Sequence, residues 1–172
     1  MWRVRVYLPT TLEMLDAAGL RRPEAVGPVE LAAPGSLAYA VTPALREWYR
    51  EGDLEELEYV ALGHAALASL HLVASRSGAP RRVVLAGDVD DHDVAPEEAT
   101  DVAAVRLVRG LRFDAVVSAH VDDPAAAADV AAAVGQLAAA AAGDDDAQFA
   151  LGTVEDHELQ WYAAQEIAFL LE

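Results

Sequence analysis

Strand-type runs in this chain do not alternate one for one with its helical segments, and this order restricts the fold most. Residues 2–8 (WRVRVYL) alternate apolar and polar side chains, as a half-buried strand does. Further strands are expected at 37–41, 82–88 (RVVLAGD), 102–108 and 115–121, the last two turned around Gly110. Thr10 with Glu13 reads as a capping box for a short helix that stops at Gly19. Thr42-Pro43 opens a second helix through Arg50, and Asp53 with Glu56 opens a long one to about Ser75. Asp123-Pro124 starts an Ala-rich helix ending at Gly143, and Thr153 with Asp156 caps a terminal helix to Leu171. Residues 20–35, 88–98 and 143–146 read as loops. The resulting order, β-α-β-α-α-β-β-β-α-α, lacks the regular βα repeat of a doubly wound parallel sheet. It predicts an α+β fold in which a mixed sheet of about five strands packs with about five helices, sandwich-like. The length, 172 residues, fits a single domain over 1–172.

Composition excludes several chemistries. All 12 basic residues are Arg; there is no Lys, Asn or Cys, while Ala supplies 38 residues. This bias reports a GC-rich genome. Without Cys there is no disulfide framework or thiolate nucleophile, and without Lys there is no Schiff base. A net charge of −17 with no concentrated basic stripe argues against nucleic acids and anionic membranes as partners. The acid reads as solvated surface; the competing reading is affinity for cations or a basic partner. No signal-peptide pattern and no Leu/Ile/Val-rich run long enough to span a bilayer are seen, so a cytoplasmic location is expected.

G-x-S-x-G, Walker A and G-x-G-x-x-G motifs are all missing. Polar candidates remain. Asp88, Asp90 and His92 follow one strand, and His120 and Asp122 end another. If those strands are neighbours, their carboxylates converge at one sheet edge as an oxygen-rich site for Mg²⁺ or another divalent cation. Solvated loop acids and helix caps are the alternative. His64 and His71 share a helix face but sit about 10.5 Å apart, too far for one metal, and read as core or boundary histidines. Glu166 falls on the apolar arc of the expected terminal helix, where a buried carboxylate needs a donor, with His120 and Arg46 as candidates. Trp161, Ala164, Ala168 and Leu171 form a second apolar side of that helix, suited to a protein partner or self-association.

The blocks TPALREWYREGDLEELEY (42–59), AHVDD (119–123), GDDDAQF (143–149) and EDHELQWYAAQE (155–166) together resemble a family of small actinobacterial proteins known only as a domain of unknown function. The resemblance implies a bacterial cytoplasmic protein and carries over no catalytic residue. The expected function is a non-catalytic binding or accessory domain without cofactor. The alternative is a divalent-metal-dependent hydrolase using the strand-end acids.

Overall fold

The computed structural model describes residues 2–22 and 29–172. Its centre is the antiparallel pairing of β1 (Arg3–Thr10) with β4 (Val83–Asp90), eight residue pairs from Arg3↔Asp90 to Thr10↔Val83. Around them the sheet grows on both sides. β3 (Ser36–Ala40), β6 (Ala104–Leu107) and β5 (Val94–Pro96) extend one side, and β8 (Val116–Val121) and β9 (Gln160–Ala163) the other. The strand order is β5-β6-β3-β1-β4-β8-β9. β2 (Glu30–Ala32) and β7 (Leu111–Arg112) pair as a separate two-stranded ribbon. Every pairing is antiparallel, and the main sheet has seven strands beside the two-stranded ribbon; both correct the expected mixed sheet of about five strands, while the α+β class stands.

Alternation on the central strands feeds two cores. Val6, Leu8, Val83 and Leu85 face one side, where they meet Leu15 of α1 (Leu12–Ala17) and Ile167 of α7 (Ile167–Leu170). Tyr7, Val84 and Ala86 face the other, where α2 (Pro43–Trp48) contributes Leu45 and α3 (Leu54–Ser75) contributes Leu57, Ala61 and Ala65. Small Ala side chains let α3 lie close across β1, β3 and β4. Its far end carries Leu70 into a third cluster with α4 (Ala127–Val134) and α6 (Asp145–Glu155), which α5 (Leu137–Ala141) joins. Ser69 ties α3 to the sheet: its hydroxyl donates to the Thr10 carbonyl at 2.7 Å and accepts from Val83 N–H at 2.9 Å.

Helix starts follow capping chemistry closely. Thr42 caps α2 ahead of Pro43, and Asp53 and Glu56 form the reciprocal box that opens α3. The cap of α1 is Thr11, one residue beyond the expected Thr10, because β1 continues through Thr10. Gly110 turns β6 toward β7 at φ +73°, and a Cβ there would collide with the Ala32 carbonyl. The loop expected at 20–35 contains β2, and residues 23–28 lie outside the described residues.

Three expectations need correction. The Ala-rich helix is broken at Gly135-Gln136 into α4 and α5. α3 is long and apolar enough to cross a membrane by length and composition, although no such run was expected from the sequence; its acids cluster in the first turns, and its buried face carries Leu57, Ala61, Ala65 and Leu70 into the cores. The terminal helix does not exist as a single element. Thr153 and Asp156 finish α6 instead of starting a helix, and residues 160–163 become β9, because Trp161 and Tyr162 pair across from His120 and Ala119.

Candidate functional site

α3 covers β1, β3 and β4 but stops short of β8 and β9, so the sheet face beyond β4 is left as the floor of a groove. The groove encloses about 700 Å³. One wall is the outer stripe of α3, with Tyr59, Gly63 and Leu67 at four-residue spacing. The floor carries His120 from β8 and Trp161 from β9. These two are register partners and therefore share a face. The closed end is the α6–β9 connection, with Glu155, His157 and Glu158.

That connection is fixed by a buried ion pair. Asp122, just past β8, is 0% exposed, and Arg82, just before β4, is 3% exposed. Arg82 gives Asp122 two guanidinium hydrogen bonds at 2.8 and 2.9 Å and a backbone N–H at 2.8 Å. A further guanidinium N–H reaches the His157 carbonyl at 3.1 Å and pins the loop that closes the groove. His157 in turn contacts Asp129 of α4 through Nε2 at 2.6 Å. On the opposite wall His64 Nδ1 lies 2.8 Å from Asp101, which also accepts from Ala103 N–H.

Unlike His64 and His157, His120 has no carboxylate partner among the described residues. Its Nε2 lies 3.2 Å from Ser118 Oγ, and its ring meets Tyr7 edge-on with centroids 6.5 Å apart. Burial, helped by the positive Arg5, holds the imidazole below its ordinary value of 6.5 and favours the neutral ring. Burial and the nearby Glu58 push the Tyr7 phenol up to about 12. The groove floor thus carries a polar group that favours its neutral form, His120, beside the Trp161 ring.

Gly63 is a notch in the α3 wall. It is exposed in mid-helix, and an added Cβ would meet nothing within 4 Å. Neither packing nor backbone conformation requires glycine there, and glycine costs a helix interior about 1 kcal/mol relative to alanine. What the missing side chain provides is bare backbone between Tyr59 and Leu67, open to whatever enters the groove.

The residues singled out from sequence are dispersed. β4 and β8 are neighbours as supposed, but antiparallel, with Val83↔Val121 at one end and Gly87↔Val116 at the other. Asp90 and His92 therefore lie at the end of β4 opposite to His120 and Asp122, about 20 Å away by strand rise, while Asp88, within the strand, is about 13 Å from His120. Asp88 is paired with Arg5 at 2.6 Å. Asp90, His92 and Asp93 do draw together, each offering a ligand atom within 4.8 Å of the others, but Arg3 and Arg109 already face Asp90 and Asp93 at 3.6 Å. Glu166 is exposed and not in the core; its carboxylate accepts Ala163 N–H at 2.7 Å. Neither His120 nor the exposed Arg46 touches it; the helical arc that placed it inside has no helix behind it. Trp161 is exposed, as an interaction surface requires, but Leu171 is buried in the core and Ala164 and Ala168 are half-buried, so the four share no face. Sequence reasoning missed Gly63, Tyr59, Asp101 and His157 as a group. Only the exposed aromatic and glycine spacing on α3 could have signalled them.

Fold and groove together define a small antiparallel α+β domain with one open side of its sheet. The chain matches a family of unknown function (DUF6912) over residues 4–171 and belongs to it. No curated protein and no solved structure matches the chain.

Proposed function

We propose that this protein is a non-catalytic binding domain that takes a ligand or partner segment in the groove between α3 and β9. The carrying observation is the Gly63 notch: an unforced glycine, at a cost to its helix, facing a cavity between two exposed apolar side chains. The polar side chains around it support binding over catalysis. Arg82, His64 and His157 are each held by a carboxylate, and Ser118, whose hydroxyl lies beside His120, is 3% exposed and does not line the groove. A cytoplasmic, actinobacterial accessory protein without a cofactor, and without nucleic-acid or membrane partners, completes this reading. The alternative, a hydrolase using Mg²⁺ or another divalent cation, draws on the approach of Asp90, His92 and Asp93 alone.

The neutral dye Nile red tests the groove. Gly63→Trp puts an indole into the notch from a Cβ that meets nothing within 4 Å, whereas Gly63→Ala leaves it open. We expect dye fluorescence with the native chain and Gly63→Ala, and its loss with Gly63→Trp. Equal dye binding by all three would remove the groove from consideration.

A further inference from the structure

Of the six exposed residues that line the groove, two are acidic, Glu155 and Glu158, and two are aromatic, Tyr59 and Trp161. Glu155 and Glu158 at its closed end are exposed and have no ion-pair partner among the described residues. Asp101, on the α3 side, has His64 as its one ion-pair partner among the described residues. The single arginine in the lining, Arg82, has its charge held by the fully buried Asp122. α3 carries Glu55, Glu56 and Glu58 and, His64 and His71 aside, no basic side chain along its 22 residues. Two exposed rings, Trp161 (62% exposed) and Tyr59 (66%), stand on the floor and the wall.

We infer that the occupant of this groove is a basic peptide segment of a partner protein, whose arginine or lysine side chains lie on Trp161 and Tyr59 and end at Glu155 and Glu158. Aromatic faces beside unpaired carboxylates match a cation on an apolar stem, since the stem covers the ring and the charge meets the acid. An apolar residue of the same segment fits over Gly63. A second copy of this chain is the poorer occupant, because each copy brings a net charge of −17 to the contact. The same acidity would draw a basic segment in and make its association sensitive to salt.

This inference rests on the groove being the binding site, and the two can fail separately. Fluorescence anisotropy of labelled octapeptides is measured against the whole chain at about 150 mM salt, where the Debye length is about 8 Å. One peptide alternates Arg and Leu, a second Gln and Leu, a third Glu and Leu. We expect the Arg/Leu peptide to bind at least about tenfold tighter than the Gln/Leu peptide, and the Glu/Leu peptide not to bind. Trp161→Ala and the double variant Glu155→Gln/Glu158→Gln should each weaken it about fivefold or more. Asp91→Asn/Asp114→Asn, which removes the same charge at the ends of β4 and β8 away from Asp122, should leave it unchanged. Equal weakening by that control would overturn the inference, because binding would then follow net charge alone. Equal binding of the Gln/Leu peptide would overturn the basic occupant and keep the groove. Arg/Leu binding that survives Gly63→Trp would overturn the groove itself.

Discussion

Asp122→Ala tests how the groove is held together. It leaves the Arg82 side chain, 4% exposed, with no countercharge and removes three hydrogen bonds at 2.8–2.9 Å. Removing one partner of a buried pair costs about 3–5 kcal/mol, since the remaining charge keeps its desolvation cost without its attraction. A chain of this size has a total stability of about 5–15 kcal/mol, so the loss is a large fraction of it. With a urea slope of about 2 kcal/mol per molar, the midpoint should fall by about 2 M at unchanged slope. The melting temperature should fall by about 6–20 °C. The double variant Arg82→Met/Asp122→Leu should recover part of the loss, as apolar replacement of a buried pair often does. Recovery stays incomplete because the Arg82 N–H and the His157 carbonyl lose their partners. A loss below about 1 kcal/mol for Asp122→Ala would refute the reasoning, since only a solvated pair is worth so little.

Three further outcomes follow from the same geometry. Gly63→Ala should stabilise the chain by about 0.5–1 kcal/mol in urea unfolding, because the site is helical and open; destabilisation would mean the notch is packed. His120 is held neutral in the fold, so the unfolded chain binds its proton first: stability is full above about pH 6.5 and falls as pH drops toward the lowered folded value. His120→Gln should therefore flatten the urea midpoint between pH 7 and pH 5.5, and an unchanged slope would contradict the assigned neutrality. Glu166→Ala should change stability by no more than about 0.5 kcal/mol, since its one side-chain hydrogen bond among the described residues is to an exposed N–H that water can satisfy; a loss above about 2 kcal/mol would mean that Glu166 is buried after all.

The strands with enough residues to alternate were legible in the sequence. WRVRVYL, RVVLAGD and the runs at 37–41, 102–108 and 115–121 correspond to β1, β4, β3, β6 and β8. β2, β5, β7 and β9 have two to four residues and carry no period of their own; their pairing comes from neighbours distant in sequence. At 160–163 the local pattern also fits a helical arc, and only the edge of β8 decides otherwise. One misassigned element therefore displaced Glu166, Ala164, Ala168 and Leu171 together. The groove was hidden for a related reason: Tyr59 and Gly63 from α3, Asp101, His120 and Trp161 meet only once the sheet order is known. The acidic end of β4 looked promising because sequence gives no direction for pairing, and the antiparallel register separates it from His120.

The three tryptophans report on three surfaces. Trp2 lies beside the acidic turn, its carbonyl accepting Asp91 N–H at 2.9 Å. Trp48 lines a shallower recess next to α2 with Tyr49 and Glu56, and Trp161 lies in the groove. Their indole N–H signals, followed by two-dimensional NMR during titration with the Arg/Leu octapeptide, test the central claim directly. The account predicts a saturable shift of Trp161 while Trp2 and Trp48 stay in place. A shift of Trp2 with Trp161 unmoved would contradict it and put the working surface at the Asp88–Asp93 end.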